Sequence, residues 1–290
     1  MLNVPVSGTT GFDVQLQNFG EMKNSGWEFE LGYNPVFTSD FSWNTRANIT
    51  LLTNEITKLK SDIIPTYSSR YGQDPTILKE GESIYSFYLR DYAGVDKTNG
   101  KAQYHVLENG QRTGEITTDA ENAGFGIFGN ALQNLQGGLF NQFLYKNFTL
   151  DFLFTFGVGG KVYDRTAFKR DDDGFSPQFT NTTAQLNPWN PNNVDSNVPI
   201  RINGNTSFSN DVSTRHLYDG DYIKFKNIKL SYNLPTLWNT IQDGTVYIQG
   251  DNLFLLTELD GYDPEAVLNG VNFFQVPTAQ SIILGMQLKF

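Results

Sequence analysis

His105 and His216 are the two imidazoles of the chain and the first residues to consider for catalysis. Ser213 precedes His216 and Asp219 follows it, so the side-chain types of a serine hydrolase occur within a few residues of one another. A catalytic triad is defined by geometry and not by closeness in sequence. We therefore expect both histidines to be loop or strand-start residues, and a hydrolase that depends on His216 stands as an alternative.

A second motif is the segment Gly124–Gly129, which reads Gly-Phe-Gly-Ile-Phe-Gly and matches the pattern G-x-G-x-x-G. That pattern binds dinucleotides only where it joins a strand to a helix in a βαβ unit. Here a turn-rich stretch follows it, and no helical periodicity begins. We interpret these residues as loop glycines that precede a strand.

The acidic run Asp171–Asp173, followed by Gly174, is the third candidate and would suit calcium. An EF-hand loop places acids at alternate positions, and Lys169 occupies the first of them. We expect a solvated acidic cluster in an extracellular loop, with a loop calcium site as the alternative.

Composition excludes several other kinds of site. The 290 residues include no cysteine, which excludes a disulfide framework, a Cys-ligated zinc site and a thiol nucleophile. A net charge of −10 without a basic run argues against nucleic-acid binding. The chain has 23 Phe and 14 Tyr, residues that favour strands. No apolar run reaches the ~18 residues of a membrane-spanning helix.

Alternation of apolar and polar residues is the dominant pattern along the chain and predicts an all-β fold. The clean runs are 27–33, 41–51, 85–89, 150–156 and 282–290. Weaker runs occupy 101–107, 135–145, 222–234 and 245–256. In 222–234 the apolar parity changes between Phe225 and Ile228, which predicts a β-bulge or the rim of a barrel.

Connections between these runs alternate in length. Short turns are predicted at 38–40, 146–147 and 235–244, and long loops at 57–82, 108–133, 159–221 and 257–279. Short periplasmic turns and long extracellular loops are typical of antiparallel outer-membrane barrels. The apolar faces of the clean runs carry no charge, which suits lipid contact. A soluble β-rich glycan-binding module, with the same faces in a core, is the alternative.

Six segments carry a more specific resemblance. They are Asn18–Glu28, Asp40–Asn44, Tyr88–Gly100, Asp221–Pro235, Gly250–Glu265 and Leu284–Phe290. In this order they resemble strands and turns of SusC/RagA-like TonB-dependent outer-membrane transporters, and the resemblance runs from residue 11 to residue 290.

The resemblance implies that residues 1–290 are the C-terminal part of a transmembrane β-barrel, about nine or ten strands of a 22-stranded barrel. It implies that signal peptide, plug and TonB box are absent from this chain. It also implies import of a glycan or peptide across the bacterial outer membrane, without catalysis or cofactor. The implied partners are a SusD-like surface lipoprotein, the TonB–ExbB–ExbD complex through the missing N-terminal part, and outer-membrane lipid.

Aromatic residues of the loop 159–221 are the candidate contacts for substrate or for the lipoprotein lid. They are Tyr163, Phe175, Phe179 and Trp189, beside many asparagines, a combination that suits sugars and peptides alike. Packing of the loop on its neighbours would explain the same residues. Phe290 is expected to act as the barrel-assembly signal, since outer-membrane barrels usually end in an aromatic residue.

Overall fold

The computed structural model describes residues 2–5, 9, 11, 14–18, 20–60, 62, 75–176, 178, 180–205, 207, 209–235, 243–267 and 269–289. Its strands are β1 Leu2–Pro5, β2 Val14–Gln17, β3 Gly20–Phe37, β4 Phe41–Leu59, β5 Thr76–Ile77, β6 Ser86–Leu89, β7 Asp91–Val95, β8 Ala102–Glu108, β9 Gln111–Thr117, β10 Gly126–Asn130, β11 Leu135–Tyr145, β12 Phe148–Val158, β13 Lys161–Asp164, β14 Leu217–Asp219, β15 Tyr222–Leu234, β16 Asp243–Thr257, β17 Val271–Asn272 and β18 Ser281–Lys289. One short α-helix, α1, spans Ala167–Arg170. Single 3-10 turns occupy Ala120–Asn122, Thr183–Leu186, Thr214–His216 and Pro264–Ala266. The all-β prediction is confirmed.

Seven strands form the main sheet, in the order β3-β4-β11-β12-β15-β16-β18. Every neighbouring pair is antiparallel, and the spatial order equals the chain order. The sheet is therefore an up-and-down meander. Among the described residues it does not close into a barrel, because β3 and β18 form its two edges.

The two faces of the main sheet differ in chemistry because strand residues alternate between faces. One cross-strand row consists of Trp43, Phe143, Leu150, Leu230, Ile248 and Leu284. The adjacent row on the other face consists of Asn44, Gln142, Asp151, Lys229, Gln249 and Ile283. We call these the apolar face and the polar face.

The predicted bulge in β15 is confirmed. The register of β15 shifts between Phe225 and Asn227 against both of its neighbours. On β16 the compensating residue is Asn252, whose φ of +54° lies in the left-handed region. The bulge keeps the apolar residues on one face although their parity changes along the chain.

Two predicted strands do not belong to the main sheet. The runs 85–89 and 101–107 form β6 and β8, which lie in separate three-stranded sheets with the orders β10-β6-β5 and β7-β8-β9. Phe87, Leu89 and Tyr104 are fully buried there. Alternation shows only that the two faces of a strand differ in polarity. It therefore does not distinguish these strands from those of the main sheet. Within the described residues the main sheet accordingly has seven strands, where about nine were predicted.

The long connections 60–134, 159–221 and 258–280 all leave the same end of the main sheet. They contain the small sheets, including β14-β13-β17, which joins two different connections. We call their described residues the loop layer. Buried apolar clusters lie here, around Phe87, Tyr163 and Val212 and around Val162 and Leu259. In the part of the chain that the structure describes, no helix is long and apolar enough to cross a membrane.

Candidate functional site

Tyr163 lies on β13 inside the core of the loop layer. Its side chain is fully buried, with its ring centroid 6.4 Å from that of Phe87. Burial raises the pKa of the Tyr163 hydroxyl, and the nearby Asp211 carboxylate acts in the same direction. The phenol is therefore neutral and contributes packing in this structure.

Trp189 connects two parts of the loop layer. Its indole Nε1 donates to the carbonyl of Lys97 at 3.1 Å, and its ring lies against Gly100. A Cβ on Gly100 would come within 2.4 Å of the indole, and the φ of Gly100 is +74°. The glycine thus permits both the turn and the close approach of the tryptophan.

The remaining sequence candidates lie elsewhere. Phe175 is half-buried, and its backbone N–H donates to the carbonyl of Asp172 at 2.9 Å. Phe179 and Phe290 lie outside the described residues. Since Tyr163 and Trp189 are buried, the structure does not bring the described aromatics of this loop into one open surface. Contact of Tyr163, Phe175, Phe179 and Trp189 with a substrate or lid stays a prediction, as does the assembly role of Phe290.

The acidic run is not solvated, which corrects the expectation from sequence. Asp172 and Asp173 are buried, and Asp173 is 0% exposed. Arg215 donates to both oxygens of Asp173, at 2.6 and 3.0 Å, and Ser209 Oγ donates at 2.7 Å. Asp172 accepts from the backbone N–H groups of Gly174 and Ser176 at 3.0 and 2.6 Å. Partners for these acids come from up to 42 residues away along the chain, so the sequence did not show them.

The direction of the pKa shift of Arg215 is consistent with this pairing. Burial alone would lower the pKa of Arg215, but the adjacent Asp173 carboxylate more than offsets it, so the pKa is raised. Burial raises the pKa of Asp171, although a hydrogen bond from the Thr182 hydroxyl opposes that shift. Among the described residues, no group of three or more His, Asp or Glu side chains is placed to hold a metal ion.

His216 is buried at the end of a 3-10 turn, and its predicted acidic partners are engaged elsewhere. Its side chain is 3% exposed, and Nε2 has no hydrogen-bond partner among the described residues. Asp219 pairs with Lys161, and Asp221 accepts from the backbone N–H of Gly159 at 2.7 Å. These pairings do not assemble a Ser-His-Asp triad. His105 lies on β8 and is half-buried.

Acid is expected to loosen the loop layer through His216. Burial lowers the pKa of His216 well below its ordinary 6.5, and the positive charges of Arg215 and Arg170 act in the same direction. As the pH falls below about 6.5, the unfolded state therefore takes up this proton first, and stability present above that pH is lost. Hydrogen exchange of segment 209–219, corrected for intrinsic rates, should rise on acidification in the parent chain.

The variant His216→Gln should show a smaller rise than the parent chain, whereas His105→Gln should behave like the parent. Arg170 and Arg215 are paired with Asp164 and Asp173, and both ion pairs are the same in the parent and in the two variants, so they do not affect the comparison. An equal rise in the parent and in His216→Gln would contradict the assignment.

The motif Gly124–Gly129 overlaps β10, which begins at Gly126, so Gly126 and Gly129 are strand residues and not the loop glycines that the sequence predicts. Gly124 has a φ of +71°, and a Cβ there would come within 2.3 Å of the Leu107 carbonyl oxygen. Gly124 therefore allows two backbone segments to lie close together.

The sequence did not predict the ion pairs within the loop layer, nor those between the loop layer and the main sheet. Arg90 and Asp211 pair at 2.9 Å, although 121 residues separate them along the chain. Lys224, on β15, contacts Asp263 at 2.5 Å and Glu265 at 3.0 Å and so ties the connection 258–280 to the sheet. No local sequence signal marks such partners.

Comparisons with known proteins give a consistent result. No protein-family profile matches the chain. The chain is 28% identical over 315 residues to TonB-dependent receptor P3 of Formosa agariphila, covering 99% of this chain and 30% of that protein. It is 28% identical over 302 residues to TonB-dependent receptor SusC of Bacteroides thetaiotaomicron, covering 100% of this chain and 28% of that protein.

Among solved structures, the RagAB peptide transporter matches with a TM-score of 0.84 at 28% identity, covering 99% of this chain and 31% of that chain. The RagAB peptide importer in its closed-closed state matches with a TM-score of 0.82. The chain spans less than a third of the length of the relatives that it matches. Over its whole length, the chain is thus related to the SusC/RagA-like TonB-dependent receptors, as its motifs predict.

Proposed function

We propose that this chain forms C-terminal barrel wall and extracellular loops of a TonB-dependent outer-membrane importer of glycans or peptides. The observation that carries the proposal is the two-faced meander with all long connections at one end, together with full-length similarity to TonB-dependent receptors. The plug and the TonB-contact segment would come from other parts of the same receptor. No catalytic step is involved.

Lipid contact is supported by the exposure of the apolar face. Leu230 and Ile248 lie in the middle of the main sheet and are 42% and 44% exposed. A soluble sandwich would cover such residues with a second layer. An apolar surface that crosses this many strands would favour aggregation in water but suits a bilayer. This observation favours the barrel over the soluble glycan-binding module.

The free edges of the main sheet support further strands in the parent receptor. Backbone groups of β3 and β18 that face away from the sheet lack ladder partners within it. In lipid, each unsatisfied group costs several kcal/mol, so membrane sheets close into barrels. We infer that additional strands of the receptor pair with both edges and complete the wall.

Transport would follow from this arrangement. A SusD-like surface lipoprotein acts as a lid over the loop layer, and substrate is captured between the two. TonB–ExbB–ExbD remodels the plug, and the substrate passes inward along the polar face, where Gln142 donates to Asp151 at 2.8 Å. The similarity to a RagAB peptide transporter supports peptides as one substrate class.

The test is to identify the native polypeptide that carries this sequence. Outer membranes and soluble fractions would be separated, and tryptic peptides of this chain located by mass spectrometry. We expect a membrane polypeptide roughly three times as long as this chain, as the 30% coverage of a relative implies. A soluble polypeptide no longer than this chain would contradict the proposal and favour the soluble module.

A further inference from the structure

Four Asn-Gly pairs occur in the chain, and all of them lie in the loop layer. Such a pair is chemically labile, because a glycine has no side chain to hinder attack of its backbone nitrogen on the preceding asparagine amide. All four asparagines are exposed, so exposure does not distinguish them. The pairs are Asn99–Gly100, Asn109–Gly110, Asn203–Gly204 and Asn269–Gly270.

The backbone N–H of the glycine distinguishes one pair from the other three. Cyclisation removes the hydrogen of that N–H, so a glycine that donates it loses a hydrogen bond and leaves a carbonyl unpaired. Among the described residues, Gly110 N–H donates to no backbone carbonyl; it lies in the two-residue turn between the paired residues Glu108 and Gln111. The other three N–H groups do donate: Gly100 to Asp96 at 2.7 Å, Gly204 to Gly174 at 2.9 Å, and Gly270 to Val267 at 3.1 Å.

The asparagine side chains show a related difference. Asn99 Nδ2 donates to Asp96 at 2.7 Å, and its Oδ1 accepts from the N–H of Lys101 at 2.9 Å. Asn269 Oδ1 accepts from the N–H of Val271 at 3.2 Å. Asn109 and Asn203 have no such hydrogen bond among the described residues. Asn109 is therefore the one asparagine of the four whose side chain and whose following N–H are both unbonded in the described part of the chain.

The turn that carries Asn109 can open at low cost. It is the tip of the β8–β9 hairpin, and β9 is an exposed edge strand. The register of this hairpin is irregular between His105 and Leu107, so only two residue pairs hold the tip beyond that point. Exposed edges open locally at a small fraction of the global stability. Asn109, whose φ is +51°, can then rotate to bring its side chain to the Gly110 nitrogen.

We propose that Asn109 is a site of spontaneous deamidation in the folded protein. The Gly110 nitrogen loses its proton to hydroxide and attacks Cγ of Asn109, which forms a new C–N bond. The bond from Cγ to Nδ2 breaks, and the amide takes a proton from water and leaves as ammonia. Water then opens the succinimide at one of its two carbonyls and gives aspartate or isoaspartate. The reaction consumes only water, and the inference does not depend on the proposed function.

The product changes both charge and backbone at the turn. A new carboxylate appears beside the exposed Glu108, in a chain whose net charge is already −10. Isoaspartate also adds a methylene to the backbone of a two-residue turn. The Gly110 carbonyl oxygen lies so close to Gly126 that a Cβ there would come within 3.2 Å of it. The longer turn must therefore shift, and we expect the hairpin to loosen.

The experiment uses the native polypeptide that carries this chain. One sample is kept folded in mildly alkaline buffer, and a second is unfolded in urea at the same pH. Trypsin cuts after Lys101 and Arg112, so Asn109 is the single asparagine of peptide 102–112. Conversion is measured from the mass increase that replacement of NH2 by OH produces. In the folded sample we expect Asn109 to convert about tenfold faster than the other three, which must first break a hydrogen bond.

The urea sample is the control for intrinsic reactivity, and all four pairs should convert there at comparable rates. The variant Asn109→Gln should abolish conversion in peptide 102–112 and leave the other three rates unchanged, because glutamine would have to close a larger ring. Folded Asn109 that converts no faster than the other three asparagines would overturn the inference.

Loosening of the hairpin is measured by hydrogen exchange of segment 102–117 before and after the alkaline incubation. Exchange should rise in the parent and not in Asn109→Gln. An equal rise in both would show that the change does not arise from Asn109, and no rise in the parent would show that the turn accommodates the added methylene.

Discussion

Arg215→Met is expected to destabilise the loop layer by about 3–5 kcal/mol, because it removes one partner of a buried ion pair. Arg215 is the cationic partner of Asp173, and the two side chains are 9% and 0% exposed. Removal of the guanidinium leaves a buried carboxylate without its counter-charge. Such a group costs far more than the pair contributes, because Asp173 is 0% exposed and a buried carboxylate is stabilised mainly by its counter-charge.

The measurement is hydrogen exchange across residues 159–221 in the native receptor, from which the free energy of local opening is obtained. Lys97→Met serves as the matched control. Lys97 pairs with Asp195 at 2.5 Å, but the two side chains are 71% and 78% exposed. An exposed pair contributes ~0–1 kcal/mol, so this variant should exchange almost as the parent does.

A double variant separates charge burial from packing. Asp173→Asn combined with Arg215→Met removes both charges, and we expect it to recover part of the stability lost in Arg215→Met alone. Equal free energies of local opening in Arg215→Met and Lys97→Met would contradict this prediction, because the buried pair would then contribute no more than the exposed pair. No recovery in the double variant would show that the guanidinium acts through its bond to the Ser209 carbonyl, at 2.9 Å, and not through charge.

Phe152→Arg is expected to cost about 2–4 kcal/mol in membrane stability and to reduce the amount of folded receptor in the outer membrane. Phe152 lies on the apolar face near the middle of β12, between β11 and β15. Its ring centroid is 5.9 Å from those of Phe143 and Phe154. An arginine there would bring a charge into the hydrocarbon and also remove these aromatic contacts.

Leu153→Arg is the control, since Leu153 is the next residue and points to the polar face at the same depth. A charge on that side faces the interior of the proposed barrel and should be tolerated. Folded receptor is quantified by gel mobility of unheated outer-membrane samples. If both variants assembled equally well, or if only Leu153→Arg failed, the assignment of the apolar face to lipid would be wrong.

The main sheet was largely predictable from sequence because its strands are long and two-faced. Alternation located β3, β4, β11, β12, β15, β16 and β18, and loss of parity near Phe225 located the bulge. Each of these signals is local, since residues i and i+2 share a face. Short turns such as Lys146–Asn147 also set the pairing of neighbouring strands without distant information.

The loop layer was not predictable in the same way. The alternation in β6 and β8 resembles that of the main-sheet strands, and the acids Asp172 and Asp173 have the sequence pattern of a solvated surface. Their burial depends on Arg215, Ser209 and other partners that come from distant parts of the chain. The stacking of Tyr88 on Phe125 likewise requires two segments separated by more than 30 residues to meet.

The sequence by itself therefore determined the all-β class, the two faces of the main sheet, the alternation of short and long connections and the relationship to TonB-dependent receptors. Only the tertiary structure decided which strands form the main sheet, which aromatics are buried and which ion pairs join distant segments. The reason is physical: side-chain alternation is a property of neighbouring residues, whereas burial, ion pairing and pocket shape depend on which distant segments pack together.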